Sequence, residues 1–101
     1  MTKRFIVLLD GATDEKDNKF LSYVKDHNLA WWHWLSNSWL LIDYNDILST
    51  EEIRDRLRQI YGDAVNNLVI ELKQQGTWHG LGPGSGDRNM YEWLQDNWDK
   101  V

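Results

Sequence analysis

The sequence predicts one α+β domain in which strands and helices follow the order β-α-β-β-α-β, then a glycine-rich connector and a last helix. Three observations carry this. Short apolar runs with strand-like alternation are interleaved with segments whose apolar residues recur at helical spacing. Four of the seven Trp residues fall between Ala30 and Tyr44, in AWWHWLSNSWLLIDY, which reads as a β-hairpin folded on Ser36-Asn37-Ser38. A capping box, Ser49-Thr50-Glu51-Glu52, then opens a helix.

The first strand is Phe5 to Asp10, closed by Gly11. Its apolar residues occupy both parities, Phe5, Val7 and Leu9 against Ile6 and Leu8, as in a strand buried on both faces. Asp14 to His27 is an amphipathic helix with Phe20, Tyr23, Val24 and His27 on one side; Asn28, which tolerates the left-handed conformation, ends it.

Leu29 to Leu35 and Trp39 to Tyr44 are strands two and three. A three-residue loop sets Leu35 opposite Trp39 and sorts the hairpin into two faces. Trp32, Trp34, Leu40, Ile42 and Tyr44 share one; Trp31, His33, Leu35, Trp39, Leu41 and Asp43 share the other. Ser49 caps the second helix, Ile53, Leu57, Ile60 and Tyr61 form its apolar stripe, and Gly62 stops it. Asn67 to Lys73 is strand four, and Thr77-Trp78-His79 reads as a short extra strand. GLGPGSG is a tether, and Asp87 caps a last helix carrying Met90, Trp93, Leu94 and Trp98.

This is the ferredoxin-like arrangement, with a four-stranded antiparallel sheet of order 4-1-3-2 and both main helices on one face. The single domain, 1–101, divides into a core at 3–75, a Gly-rich linker at 76–86 and a C-terminal helix at 87–99. The helix face is expected to take Phe5, Val7 and Leu9 with Trp32, Trp34, Leu40, Ile42, Leu68, Ile70 and Leu72. The open face then shows Ile6, Leu8, Asp10, Trp31, His33, Leu35, Trp39, Leu41, Asp43, Val69 and Glu71, which is too apolar for water. A second copy of the chain, packed sheet to sheet, is the expected cover, with the segment around Trp78 and His79 added to the partner's sheet edge. The C-terminal helix on its tether is the other candidate cover.

Composition narrows the function classes. The chain has 101 residues, no Cys, one Pro and a net charge of −5. Disulfides and thiolate metal sites are excluded, and a reducing, cytoplasmic setting fits. The apolar run at Phe5 to Leu9 is too short for a signal-peptide core, and no stretch approaches the length of a membrane span. The acidic balance disfavours nucleic acid as a partner, because affinity for it grows with the phosphates neutralised.

At WWHWLSNSWLL, STEEIRDRLRQIYGD, NNLVIELKQQGTWHG and EWLQDNW the chain resembles a family of small bacterial proteins known as SinR-like. The fold of that family is similar to that of VapD-type ribonucleases and of the small CRISPR-adaptation nuclease-like subunit. The resemblance implies a ferredoxin-like homodimer in which the Asp ending strand one is a metal ligand. Asp10 stands at that position. The chain departs from those relatives in charge, being acidic where they offer basic surfaces.

Asp10 is therefore the one catalytic and metal-ligand candidate. Two copies across a two-fold axis would hold Mg²⁺ or Mn²⁺; otherwise no cofactor is expected. Its simpler role is a turn with Gly11. Asp43 is too far along the neighbouring strand to share an ion with Asp10, and is expected to pair with Lys3 or Arg4 or to face solvent. His33 and His79 lie toward opposite sheet edges and are expected beside Trp residues at an interface. The glycine-rich segment matches no phosphate-binding pattern. Two functions follow: a non-catalytic homodimeric interaction module, or a metal-dependent ribonuclease of the VapD kind. The interface candidates are Ile6, Leu8, Trp31, His33, Leu35, Trp39, Leu41, Trp78 and His79.

Overall fold

A computed structural model of the protein describes residues 2–74, 76–82, 84 and 89–100. Strand β1 (Lys3–Leu9) leads into helix α1 (Asp14–Asp26), the hairpin β2 (Ala30–Leu35) and β3 (Ser38–Asp43), helix α2 (Thr50–Tyr61) and strand β4 (Asn67–Leu72). A short helix α3 (Met90–Asp96) and a 3-10 turn at Trp98–Lys100 complete it. The sheet is antiparallel, in the order β2-β3-β1-β4, which is the 4-1-3-2 order expected.

Local chemistry sets most boundaries. Thr13 caps α1 by accepting from the Lys16 amide at 3.3 Å, and Ser49 caps α2 by accepting from Glu52 N at 3.1 Å. Asn28 takes φ 56° just past α1, and Gly62 takes φ 98° at the end of α2. α3 begins later than expected: Asn89 caps it by accepting from the amides of Tyr91 and Glu92, whereas Asp87 lies outside the described residues. Thr77-Trp78-His79 is not a strand.

The hairpin differs from its sequence expectation in a way that matters. Leu35 pairs with Ser38, so the loop is Ser36-Asn37 and not a three-residue turn. Further from the loop, Trp31 pairs with Leu41 and Trp32 with Leu40. The change of register between Trp32 and Leu35 is a bulge that leaves His33 and Trp34 together opposite Trp39.

The second correction concerns which face is which. Phe5 is level with Leu41 and Glu71, and Val7 with Trp39 and Val69. Residues level across neighbouring strands share a face. The α1/α2 face therefore carries Phe5, Val7, Leu9, Trp39 and Leu41, packed on Phe20, Tyr23 and Val24 of α1 and Ile53, Leu57 and Tyr61 of α2. Trp39 is only 1% exposed and Leu41 is fully buried there, so both leave the open face to which the sequence assigned them. The opposite face carries Ile6, Trp32, Leu40, Ile42 and Leu72, and its cover is Met90, Leu94 and Trp98 of the chain's own C-terminal segment. Trp34, expected under the helices, packs there too.

Two buried charged side chains make hydrogen bonds to backbone groups. Arg4 donates from Nε to the Trp98 carbonyl at 3.0 Å, with its guanidinium 5.9 Å from the Trp98 ring centroid, tying the 3-10 turn to the sheet. Asp43 accepts from the amides of Ile47 and Leu48 at 2.9 and 2.8 Å. Its expected Lys3 partner instead pairs with Asp46 at 2.7 Å, a hydrogen bond that holds the Asp46 carboxyl below its usual range.

Candidate functional site

Asp10 follows β1 as expected, but its chemistry is that of a clasp. Its backbone N–H donates to Asn66 O at 3.1 Å. Its two carboxylate oxygens accept from Asn66 N at 3.0 Å and Asn66 Nδ2 at 3.2 Å. Gly11 makes the turn that follows at φ 68°, with the Val65 side chain so near that a Cβ would lie 3.2 Å from it. The clasp thus joins the end of β1 to the entry of β4. Among the described residues no three His, Cys, Asp or Glu side chains gather as a metal site. Asp10 is exposed and shares a shallow depression with Leu8 and Leu68.

His33 belongs to the α1/α2 side. Its ring stacks on Trp39 with centroids 3.8 Å apart and planes 5° from parallel. Nδ1 donates to the Ser38 carbonyl at 2.8 Å, and Nε2 faces Asp17 Oδ2 at 3.3 Å. Asp17 in turn accepts from the Tyr61 hydroxyl at 2.5 Å. Burial, reinforced by that hydrogen bond, pushes the Tyr61 hydroxyl well above the usual tyrosine range. This chain of partners ties β2, α1 and α2 together. Its members are only partly accessible, with side-chain exposures of 18% for His33 and 19% for Asp17. His79 is exposed and lines a groove on the other face, so the two histidines do not converge.

Of the remaining interface candidates, Ile6, Leu8, Leu35, Trp78 and His79 do fall around one surface, the C-terminal face of the sheet. They line a groove of about 350 Å³ that ends against Met90, Leu94 and Trp98. Trp78 stacks beside Tyr91 and donates from Nε1 to Asp99 at 2.9 Å, so this segment lies over its own chain. Leu8 and Leu68 are level neighbours, as are Ile6 and Ile70. Leu8, Leu35, Leu68 and Ile70 are exposed, Leu68 by 55%, and Leu81 beside the groove is 94% exposed. The sequence pointed to an apolar surface in need of cover; the residues that form it are chiefly the β1/β4 pair. Leu68 and Ile70 had been placed under the helices.

A second hollow, of about 850 Å³, lies between β2 and α3 and was not foreseen. Trp31, Trp34 and Trp93 line it together with Glu92 and Asp96. The signal for it was present in EWLQDNW, but only the docking of α3 beside β2 brings those residues to the hairpin.

Fold and surfaces together define the class: an α+β domain of βαββαβ order, its sheet closed on one face by two helices and on part of the other by its C-terminal segment. Comparison with known proteins adds no closer identity, since no family model, no curated protein and no solved structure matches the chain. No helix among the described residues is long and apolar enough to cross a membrane.

Proposed function

We propose that the protein is a non-catalytic interaction module that works as a homodimer, joined through the uncovered part of its C-terminal sheet face. The observation that carries this is the exposed apolar row of Leu8, Leu35, Leu68 and Ile70 beside a mostly apolar groove. Contiguous apolar surface of this kind marks interaction sites, and a two-fold axis lets one patch serve both partners. A stable interface buries roughly 600–1,000 Å² on each side. Leu81 and His79 on the crossing segment extend the row at the groove's rim. The proposal keeps the interaction module expected from an apolar open sheet face and moves its surface from Trp39 and Leu41 to the β1/β4 pair. The Cys-free composition supports a cytoplasmic setting.

Sedimentation equilibrium at tens of micromolar tests it. The expected result is a dimer that becomes a monomer in Leu68→Glu, with the circular dichroism spectrum kept. A wild-type monomer at that concentration would falsify the proposal.

Asp10 supports a second reading, a metal-dependent ribonuclease of the VapD kind. Its carboxylate borders the same patch as Leu8 and Leu68, so a two-fold axis there brings a pair of Asp10 side chains toward one interface. Mg²⁺ or Mn²⁺ would be the ion. Incubation with structured and single-stranded RNA decides between the two. Cleavage that needs the metal and disappears in Asp10→Ala supports the nuclease; absence of cleavage supports the module.

A further inference from the structure

The outer edge of β2 has the features of a peptide site. β2 ends the strand order and pairs with β3, and among the described residues no strand lies beside its other edge. Among the described residues no backbone hydrogen bond outside the helices and strands reaches Ala30 to Leu35. Edge strands of this kind are usually blunted by charge or by a covering element. Here α3 stands off to one side and leaves the hollow of about 850 Å³ along the edge.

The side chains around it have one character. Trp31 is exposed, and Trp34 and Trp93 are half-buried. Glu92 and Asp96 are both exposed and lie one helical turn apart on α3. Among the described lining residues there is no Lys or Arg, and the one His present, His33, is held by Ser38 and Asp17. Aromatic faces beside carboxylates attract organic cations. The geometry points to strand addition: β2 accepts an extended, basic segment of another protein, whose backbone pairs with the free edge while Lys or Arg side chains lie against the Trp faces and meet Glu92 and Asp96.

Charge decides between possible occupants. A second copy pairing through the same edge would bring two sets of Glu92 and Asp96 together, and the chain as a whole carries −5. Like charges across an interface oppose association, whereas a basic segment is drawn in. The length is set by β2 itself, six residues, and the bulge at His33 and Trp34 twists the strand and fixes one end of the pairing. The two surfaces meet at Trp32, which lines both hollows, and at Leu35, which ends β2; Glu92 and Asp96 belong to the peptide site alone, and Leu8, Leu68 and Ile70 to the dimer patch alone.

The test is a fluorescence titration of the full chain, through its Trp residues, with a capped seven-residue peptide alternating Val and Arg. Saturable binding that weakens as salt is raised is expected. Glu92→Gln with Asp96→Asn, at exposed positions where the fold is undisturbed, should weaken it roughly tenfold. A version N-methylated on alternate amides should lose binding by a similar factor, because strand pairing needs those N–H groups. The matching Val-Glu peptide should not bind. Leu68→Glu should bind the basic peptide as the parent does, which separates this site from the dimer. No saturable binding of the Val-Arg peptide overturns the proposal. So does binding indifferent to the carboxylate pair. Equal affinity of the N-methylated peptide and of arginine amide also overturns it, since that describes a site for a free cation.

Discussion

The two faces of the sheet are closed by different means. Over the first, α1 and α2 stand directly between strands, each held by its own cap, and they meet Phe5, Val7, Trp39 and Leu41 in one continuous cluster. Over the second, α3 and the 3-10 turn arrive at the end of the chain and cover Trp32, Ile42 and Leu40, held by Arg4 and the Trp98 carbonyl. They stop short of Leu8, Leu68 and Ile70. The first face is closed by secondary structure that the β-α-β-β-α-β order itself supplies. The second is closed by an appended segment, and both proposed contact surfaces lie around the limits of that segment's reach.

The sharpest way to break the comparison is to remove one anchor from each side. Phe5→Ala, at a fully buried position in the first cluster, should cost about 3–5 kcal/mol, read from urea unfolding, and should lower the stability of the whole domain. Leu94→Ala in the second cluster should cost less, about 2–3 kcal/mol, because the short α3 can settle toward the gap. If Leu94→Ala proved the more damaging, α3 would belong to the folding core and not to a cover.

Asp43→Ala probes the turn after β3. It removes the acceptor for two amides and should cost about 1–3 kcal/mol, with little change in dimerisation. Asp43→Asn, which keeps one acceptor oxygen, should recover part of that.

The smallest effect is a pH dependence confined to the first face. Burial raises the Tyr61 hydroxyl above its ordinary value of 10.0, and Asp17 adds to the shift. A group whose pKa is higher in the folded state contributes its full stability below the unfolded value and loses it as pH rises through that range. Unfolding followed between pH 8 and about 11 should therefore show falling stability above about pH 10. Tyr61→Phe should flatten that slope. Tyr23, raised chiefly by burial, leaves a remainder of the same sign.

Much of this was legible in the chain. The capping residues, the left-handed Asn28, the Gly62 stop and the hairpin's division into unlike faces are local chemistry, and local chemistry is written in neighbouring residues. The loop was misjudged because a bulge is invisible to alternation. His33 and Trp34 look like two ordinary steps of a strand, yet both stand opposite Trp39. Asp43 was misjudged for a similar reason: two backbone amides in the following turn outcompete a lysine side chain for its carboxylate.

What the sequence determined by itself is the set of elements, their order, and the fact that both faces of the sheet are apolar. What only the tertiary structure decided is which face the helices cover. Phe5, Val7 and Leu9 do meet α1 and α2, as the sequence leads one to expect, but on β3 Trp39 and Leu41 are as apolar as Leu40 and Ile42, so alternation carries no information about which of the two pairs joins them. A one-residue shift of β3 against β1 exchanges Trp39 and Leu41 for Leu40 and Ile42, two apolar residues for two. The choice is made by shape, through the fit of Trp39 beneath Phe20 and of Trp32 beneath α3. That fit places Leu68 and Ile70 in the open and sets Glu92 and Asp96 beside the edge of β2.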